Sequence, residues 1–442
     1  MLKKLFIIFA IGMTVMNTQA FSQKFFPLES KTFMLKNGLT VILVPMKSHS
    51  LLSYYTVVRT GSRDEYEPGH TGFAHFFEHM MFRGTKKYPG NVYDKLVTEM
   101  GANANAYTTD DLTCYHLSIA SEDLEKTMEL ESDRFRNLFY QEREFQTESG
   151  AVYGEYRKSK TSPEFWLEEK LAGLAFAEHT YKHTTMGFEE DIAAMPKMYD
   201  YSRSFFSRYY RPENAVLLIV GDFRQDEAMR LVEKYYSPWQ RGYVPPQIPK
   251  EPEQTREKSG TVKYPGKTLP ILAISYKGAS FDPNDKLIAA ASLFCEMAFG
   301  ENSDLYKKLY LQEQKVQEFG YDFGMNRDPG LWSIYSKIKK IDDLGYIRTE
   351  IDRTIKEFQT NPVSQTKLDN LKKRKKYEFL MNLDTPEKVA GKLTRIIAMT
   401  GGIAALDKHF STIMNVNPQD IIEAAKKYFV PEKRTVLTLT GE

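Results

Sequence analysis

Apolar and polar residues alternate through SKTFMLKNGLTVILVPM, residues 30 to 46, in the pattern of a β-hairpin. Asn37-Gly38 is a turn pair, and residues 39 to 45 are rich in β-branched and apolar types. LLSYYTVVRTGS, from residue 51, continues as a strand. Between Gly72 and Gly84 the spacing becomes helical: FAHFFEHMMFR interleaves phenylalanine and methionine with two histidines, and a glycine stands at each end. GANANAYTTDDLTCYHLSIA, residues 101 to 120, predicts two strands around Asp110-Asp111. In the second, Leu112, Cys114, His116 and Ser118 share one face, and Thr113, Tyr115, Leu117 and Ile119 form the more apolar one. Residues 121 to 160 are charged and periodic, and therefore helical.

A repeat follows. YYRPENAVLLIVGDF (209 to 223) places a Pro-Glu pair before an apolar strand that ends in glycine, and KYFVPEKRTVLTLTGE (427 to 442) does the same. Between them, residues 237 to 261 are rich in proline and charge, the composition of an exposed linker. Two similar endings on either side of a linker predict two halves of similar build. The chain reads as tandem α+β domains, residues 25 to 236 and 262 to 442.

The first 20 residues stand apart. A basic start, an apolar run of about 12 residues and a small-residue ending near Ala20 read as a secretory signal peptide, since a spanning helix needs about 20 apolar residues. The expected location is periplasmic or otherwise extracytoplasmic, without stable membrane insertion. Lys3 and Lys4 account for the whole formal charge of +2, so the mature chain is neutral. Neither a nucleic-acid partner nor an acidic surface is implied. Two cysteines, Cys114 and Cys295, are too few for a disulfide scaffold in a chain of 442 residues.

The chemistry concentrates in HFFEH, residues 75 to 79. Residues four apart on a helix project from one face, so His75 and His79 can close on one cation. Glu78 lies beside that face, where a carboxylate can accept a proton from water. The order H-x-x-E-H is the inverse of the H-E-x-x-H zinc-peptidase motif. Taken alone, the pentapeptide also fits a core helix with two satisfied histidines. Among the competing histidines His70, His116, His179 and His183, none has a helical partner with a glutamate between them, and the residues around His179 and His183 indicate a loop.

RTGSRDE (59 to 65) before this helix and MFRGTKKYP (81 to 89) after it resemble the pitrilysin-type zinc peptidases, which include insulysin and the mitochondrial processing peptidases. The resemblance extends through NANAYTT (103 to 109) to the strand at 216 to 223 and is weaker beyond the linker. It implies a third zinc ligand on a later helix, preceded seven residues earlier by another glutamate. ESGAVYGE supplies both, so the resemblance assigns Glu155 to the metal and Glu148 to the orientation of a ligand. Two imidazoles and one carboxylate leave a fourth coordination position, the open arrangement of catalytic zinc.

The same resemblance implies a clamshell half whose strand at Asn105, Ala106 and Tyr107 pairs with unfolded peptide substrates along an open edge. Active members of this family usually carry an arginine and a tyrosine in the C-terminal half that reach the substrate carbonyl. SDLYKKLYLQEQKVQEFGYDF (303 to 323) has Tyr310 where the arginine should stand and no arginine at all, and Tyr321 fits the tyrosine imperfectly. The chain is also about half the length of the single-chain enzymes. The expected assembly is a zinc-bearing catalytic subunit completed by a zinc-less homologous chain, or by a second copy of itself. The alternative is a non-catalytic scaffold or binding subunit of the same fold.

Overall fold

Strands β1 (Lys31–Met34) and β2 (Thr40–Pro45) pair antiparallel across a turn where Gly38 takes φ +90° and a Cβ would lie 2.8 Å from the Glu213 side chain. This hairpin opens a computed structural model that describes residues 24–442. The predicted signal peptide, residues 1 to 20, lies outside the described residues. The first sheet continues with β3 (Leu51–Val58), β4 (Asn103–Thr108), β5 (Thr113–Ala120) and β6 (Ala215–Gly221), in spatial order β1-β2-β6-β3-β5-β4. The second comprises β7 (Lys258–Tyr264), β8 (Ile271–Lys277), β9 (Val316–Phe323), β10 (Leu331–Ile338) and β11 (Arg434–Gly441), in order β7-β11-β8-β10-β9.

The two sheets share one topology. Apart from the added edge strand β1, in each the strand after the Pro-Glu pair, β6 or β11, lies parallel to β2 or β7 and antiparallel to β3 or β8. Each is entered through a short turn, Pro212–Asn214 or Pro431–Lys433. One correction concerns the linker. Residues 237 to 257 carry no helix or strand, but Lys258 to Thr261 pair with Thr435 to Thr438, so the last four residues of the predicted linker belong to β7. Their mixed polar composition hides this, because only parallel pairing with the C-terminal strand makes them extended.

Six helices matter for the site: α1 (Phe73–Met80), α2 (Glu142–Ser159), α3 (Pro163–Ala175), α4 (Lys286–Phe299), α5 (Gln365–Met381) and α6 (Pro386–Thr400). Alternation along the first sheet sends Val41, Leu43, Tyr54, Leu117 and Ile219 to a core shared with Phe76 and Phe77 of α1 and Val152 of α2. The opposite face, Ile42, Val44, Val57, Val216 and Leu218, packs with Val389, Leu393 and Ile397 of α6, from the C-terminal half. Conversely, Leu167 of α3 packs on Val262, Leu437 and Leu439 of the second sheet. Each half thus covers the other's sheet with one helix. The linker divides the strands of the two sheets but not their covering layers.

Cys114 and Cys295 are buried free thiols in the shared core, and burial pushes the Cys114 thiol up to about 12. Among the described residues no single helix is long and apolar enough to cross a membrane.

Candidate metal centre

Helix α1 buries Phe73, Phe76, Phe77 and Met80 against the first sheet and turns His75, Glu78 and His79 toward α2. On α2, Glu148 and Glu155 are two turns apart and share the face that meets them. The Nε2 atoms of His75 and His79 lie 3.8 and 3.4 Å from Oε2 of Glu155, and one ligand atom from each of the three falls within 4.8 Å of the others. Bonds of about 2.0–2.1 Å to a tetrahedral zinc would separate its ligands by roughly 3.4 Å, so this spacing needs little adjustment.

Glu148 explains how His79 is aimed. Its Oε1 lies 3.0 Å from Nδ1 of His79, and its Oε2 accepts from Nε of Arg83 at 2.6 Å. A proton on Nδ1 leaves the lone pair of Nε2 directed at Glu155. The hydrogen bond that His79 donates to Glu148 raises the His79 pKa. For Glu148, burial favours the neutral acid, but the hydrogen bonds from His79 and Arg83 outweigh it and hold the carboxyl below its usual range. Burial, with His79 beside it, lowers His75 to about 4, which keeps this imidazole neutral and available at pH 7. Nδ1 of His75 is buried without a hydrogen-bond partner. Two imidazole nitrogens and a carboxylate oxygen gathered within 4.8 Å of one another form a donor set that suits zinc.

Glu78 bridges the helix and the edge of the sheet, its Oε2 accepting from Oγ1 of Thr108 at 2.6 Å. Burial raises its carboxyl, opposed by the hydrogen bond from Thr108. Thr108 ends β4, which with β1 is one of the two outer strands of the first sheet. Asn105, Ala106 and Tyr107 lie on this strand, where Asn105 Oδ1 accepts the Ala106 N–H at 2.8 Å.

Two of the competing histidines make other contacts. His179 accepts the Tyr181 N–H at Nδ1 and meets Asp328 at Nε2, while Nδ1 of His183 bonds the Thr184 carbonyl. In the C-terminal half, the Tyr321 hydroxyl donates to Glu296 at 2.6 Å, and Tyr310 is exposed and stacked on Tyr306. Sequence reasoning missed Glu65. It lies within the quoted RTGSRDE motif without an assigned role, yet its carboxylate accepts the N–H groups of Gly72 and Ala74 at the start of α1.

Residues 44–189 match the insulinase domain of peptidase family M16, and residues 198–375 match the peptidase M16 inactive domain. The chain belongs to the insulinase-type M16 peptidase family. M16 relatives include a Helicobacter pylori protein named zinc protease PqqE, 26% identical over 99% of this chain and 98% of its own. The β subunit of the Neurospora crassa mitochondrial-processing peptidase is 24% identical over 90% of this chain and 85% of its own. The crystal structure of an H. pylori protease superposes with a TM-score of 0.88 at 25% identity, covering 93% of this chain and 99% of that one. The M16 fold therefore extends over both halves, the C-terminal one included.

Proposed function

We propose that the chain is a zinc-dependent endopeptidase acting on unfolded peptides. The observation that carries this is the convergence of His75, His79 and Glu155 on one point, with Glu78 alongside. Zinc, when bound there, supplies Lewis-acid polarisation of the scissile carbonyl and a water of lowered pKa. Glu78 accepts the proton of the attacking water and passes it to the leaving amine, a role favoured by the upward shift that burial gives its carboxyl. Thr108 holds that carboxylate at the edge of β4, and Glu148 keeps His79 in the tautomer that offers Nε2. The open edge of β4 aligns an extended peptide through main-chain hydrogen bonds once Asn105 releases the Ala106 N–H.

Glu78→Gln should retain stoichiometric zinc and lose peptide hydrolysis, whereas His75→Ala and Glu155→Ala should lose the metal itself. Near wild-type cleavage of a peptide library by Glu78→Gln would remove Glu78 from the role of base.

The same reading makes this the catalytic subunit of a two-chain extracytoplasmic enzyme. Residues 303 to 323 contain no arginine, and Tyr321 is committed to Glu296. The N. crassa relative is named as a subunit. The isolated chain should bind zinc but hydrolyse peptides about 10²- to 10³-fold more slowly than the assembly, because a donor to the developing oxyanion is missing. Adding a zinc-less homologous chain with the arginine and tyrosine should restore the rate. Full activity from a monomer would count against a partner.

A further inference from the structure

Helix α1 has only two turns, and it begins without a local cap. Gly72 precedes it at φ +89° and offers no side chain to its first N–H groups. So short a helix is not self-sustaining, and a frayed first turn would release Phe73, Ala74 and His75 together. The missing acceptor comes from seven to nine residues upstream. Oε2 of Glu65 accepts the Gly72 N–H at 2.7 Å, and Oε1 accepts the Ala74 N–H at 2.6 Å. Glu65 itself is 2% exposed.

The surroundings lock this contact. Thr71 gives its N–H and hydroxyl to Oδ2 of Asp191 and accepts the Phe188 N–H, so residues 188 to 191 wrap the entry to the helix. A Cβ on Gly72 would stand 2.7 Å from the Met186 carbonyl, and one on Gly187 2.7 Å from the Gly72 nitrogen. Neither position has room for a side chain, so the two backbones pass in direct contact. Burial raises the Glu65 carboxyl, opposed by the two N–H groups. Each oxygen has a second lone pair, so both N–H groups keep their acceptor whether or not the carboxyl carries a proton.

We propose that Glu65 is a positioning residue of the metal centre, whose two-oxygen cap on α1 holds His75 in register with Glu155. The inference rests on the peptidase reading for its effect on turnover but not for its effect on metal affinity or helix protection. The test uses the full mature chain with Glu65→Gln and Glu65→Ala. Glutamine has the same shape but turns an NH₂ toward one of the two donors, so it breaks half of the cap. Zinc affinity by chelator competition should fall about tenfold in Glu65→Gln, within the range for residues that orient ligands. Hydrogen exchange of the metal-free protein, read residue by residue by mass spectrometry, should quicken at Gly72 to His75 and stay unchanged in the second sheet. With peptide substrate, kcat should fall while KM holds.

Wild-type zinc affinity and wild-type protection in Glu65→Gln would overturn the proposal. If both variants fail to fold, the wild type decides: Gly72 and Ala74 should exchange more slowly than Phe73, whose N–H has no acceptor among the described residues, and equal rates would overturn the cap. A wild-type chain that stays without peptidase activity even after a zinc-less homologous chain carrying the arginine and tyrosine is added, but whose metal affinity responds to Glu65, would sink the peptidase reading and leave this one standing.

Discussion

The two halves put opposite chemistry at the same place in the same topology. In the first, α1 follows β3, and its Glu78 meets Thr108 on the edge strand β4 while its histidines meet the glutamates of α2. In the second, α4 follows β8, and its Glu296 meets Tyr321 on the edge strand β9 while also meeting Arg374 and Lys375 of α5. The acid of the second half is neutralised by two cations from the facing helix. In the first half the facing helix presents carboxylates, so the cluster keeps unspent lone pairs. A metal site at this position therefore depends less on the fold than on the sign of the charge that the second helix brings.

The sharpest way to break that comparison is through the metal. His79→Ala should abolish stoichiometric zinc, and with it activity by more than about 10²-fold, while Glu296→Ala should leave zinc content unchanged. Equal metal loss in both, measured on purified protein, would mean that the two clusters act as one.

The exchange of covering helices gives the next largest effect. Leu393, on α6, is fully buried against the first sheet, and its replacement by alanine should cost about 3 kcal/mol. Because α6 belongs to the C-terminal half, exchange protection should fall in β3 and β6 as well as around α6. Loss confined to the C-terminal half would show that the halves are not interlocked.

A smaller effect joins the halves at Asp328, which meets His179 at 3.1 Å and accepts from Arg63 at 2.6 Å, both from the N-terminal half. Burial would raise this carboxyl, but the hydrogen bonds from His179 and Arg63 outweigh it and bring it to about 2. A carboxyl depressed in the folded state stabilises above its unfolded value of about 4, and that stability is lost as pH falls from about 4 to 2. Asp328→Asn should therefore be about 1–2 kcal/mol less stable at pH 7 and show a flatter acid limb in denaturant titrations. An unchanged limb would place the acid sensitivity elsewhere.

The smallest effect is expected from Glu296→Gln. Arg374 is about one-third exposed, so water compensates for much of the lost pairing, and the destabilisation should be about 1 kcal/mol by denaturant unfolding. A loss several times larger would show that the cluster in the second half holds its fold as firmly as the first half's cluster is expected to hold metal.

Much of this was legible in the chain because it depends on local periodicity. The Asn37-Gly38 hairpin, the common face of His75 and His79, and the repeated Pro-Glu strand endings follow from residues close in sequence, whose geometry one helix or strand repeat dictates, whereas Glu148 and Glu155 are singled out among the acidic residues of their helix only by the family resemblance. What stayed hidden depends on groups far apart in sequence. The pairing of β7 with the C-terminal strand, the exchange of α3 and α6, the cap that Glu65 places on α1, and the neutralisation of Glu296 each join segments whose composition also suits an exposed surface. A glutamate in a polar motif reads the same whether it faces water or two buried N–H groups. Only packing, by removing the water, turns it into an obligatory partner.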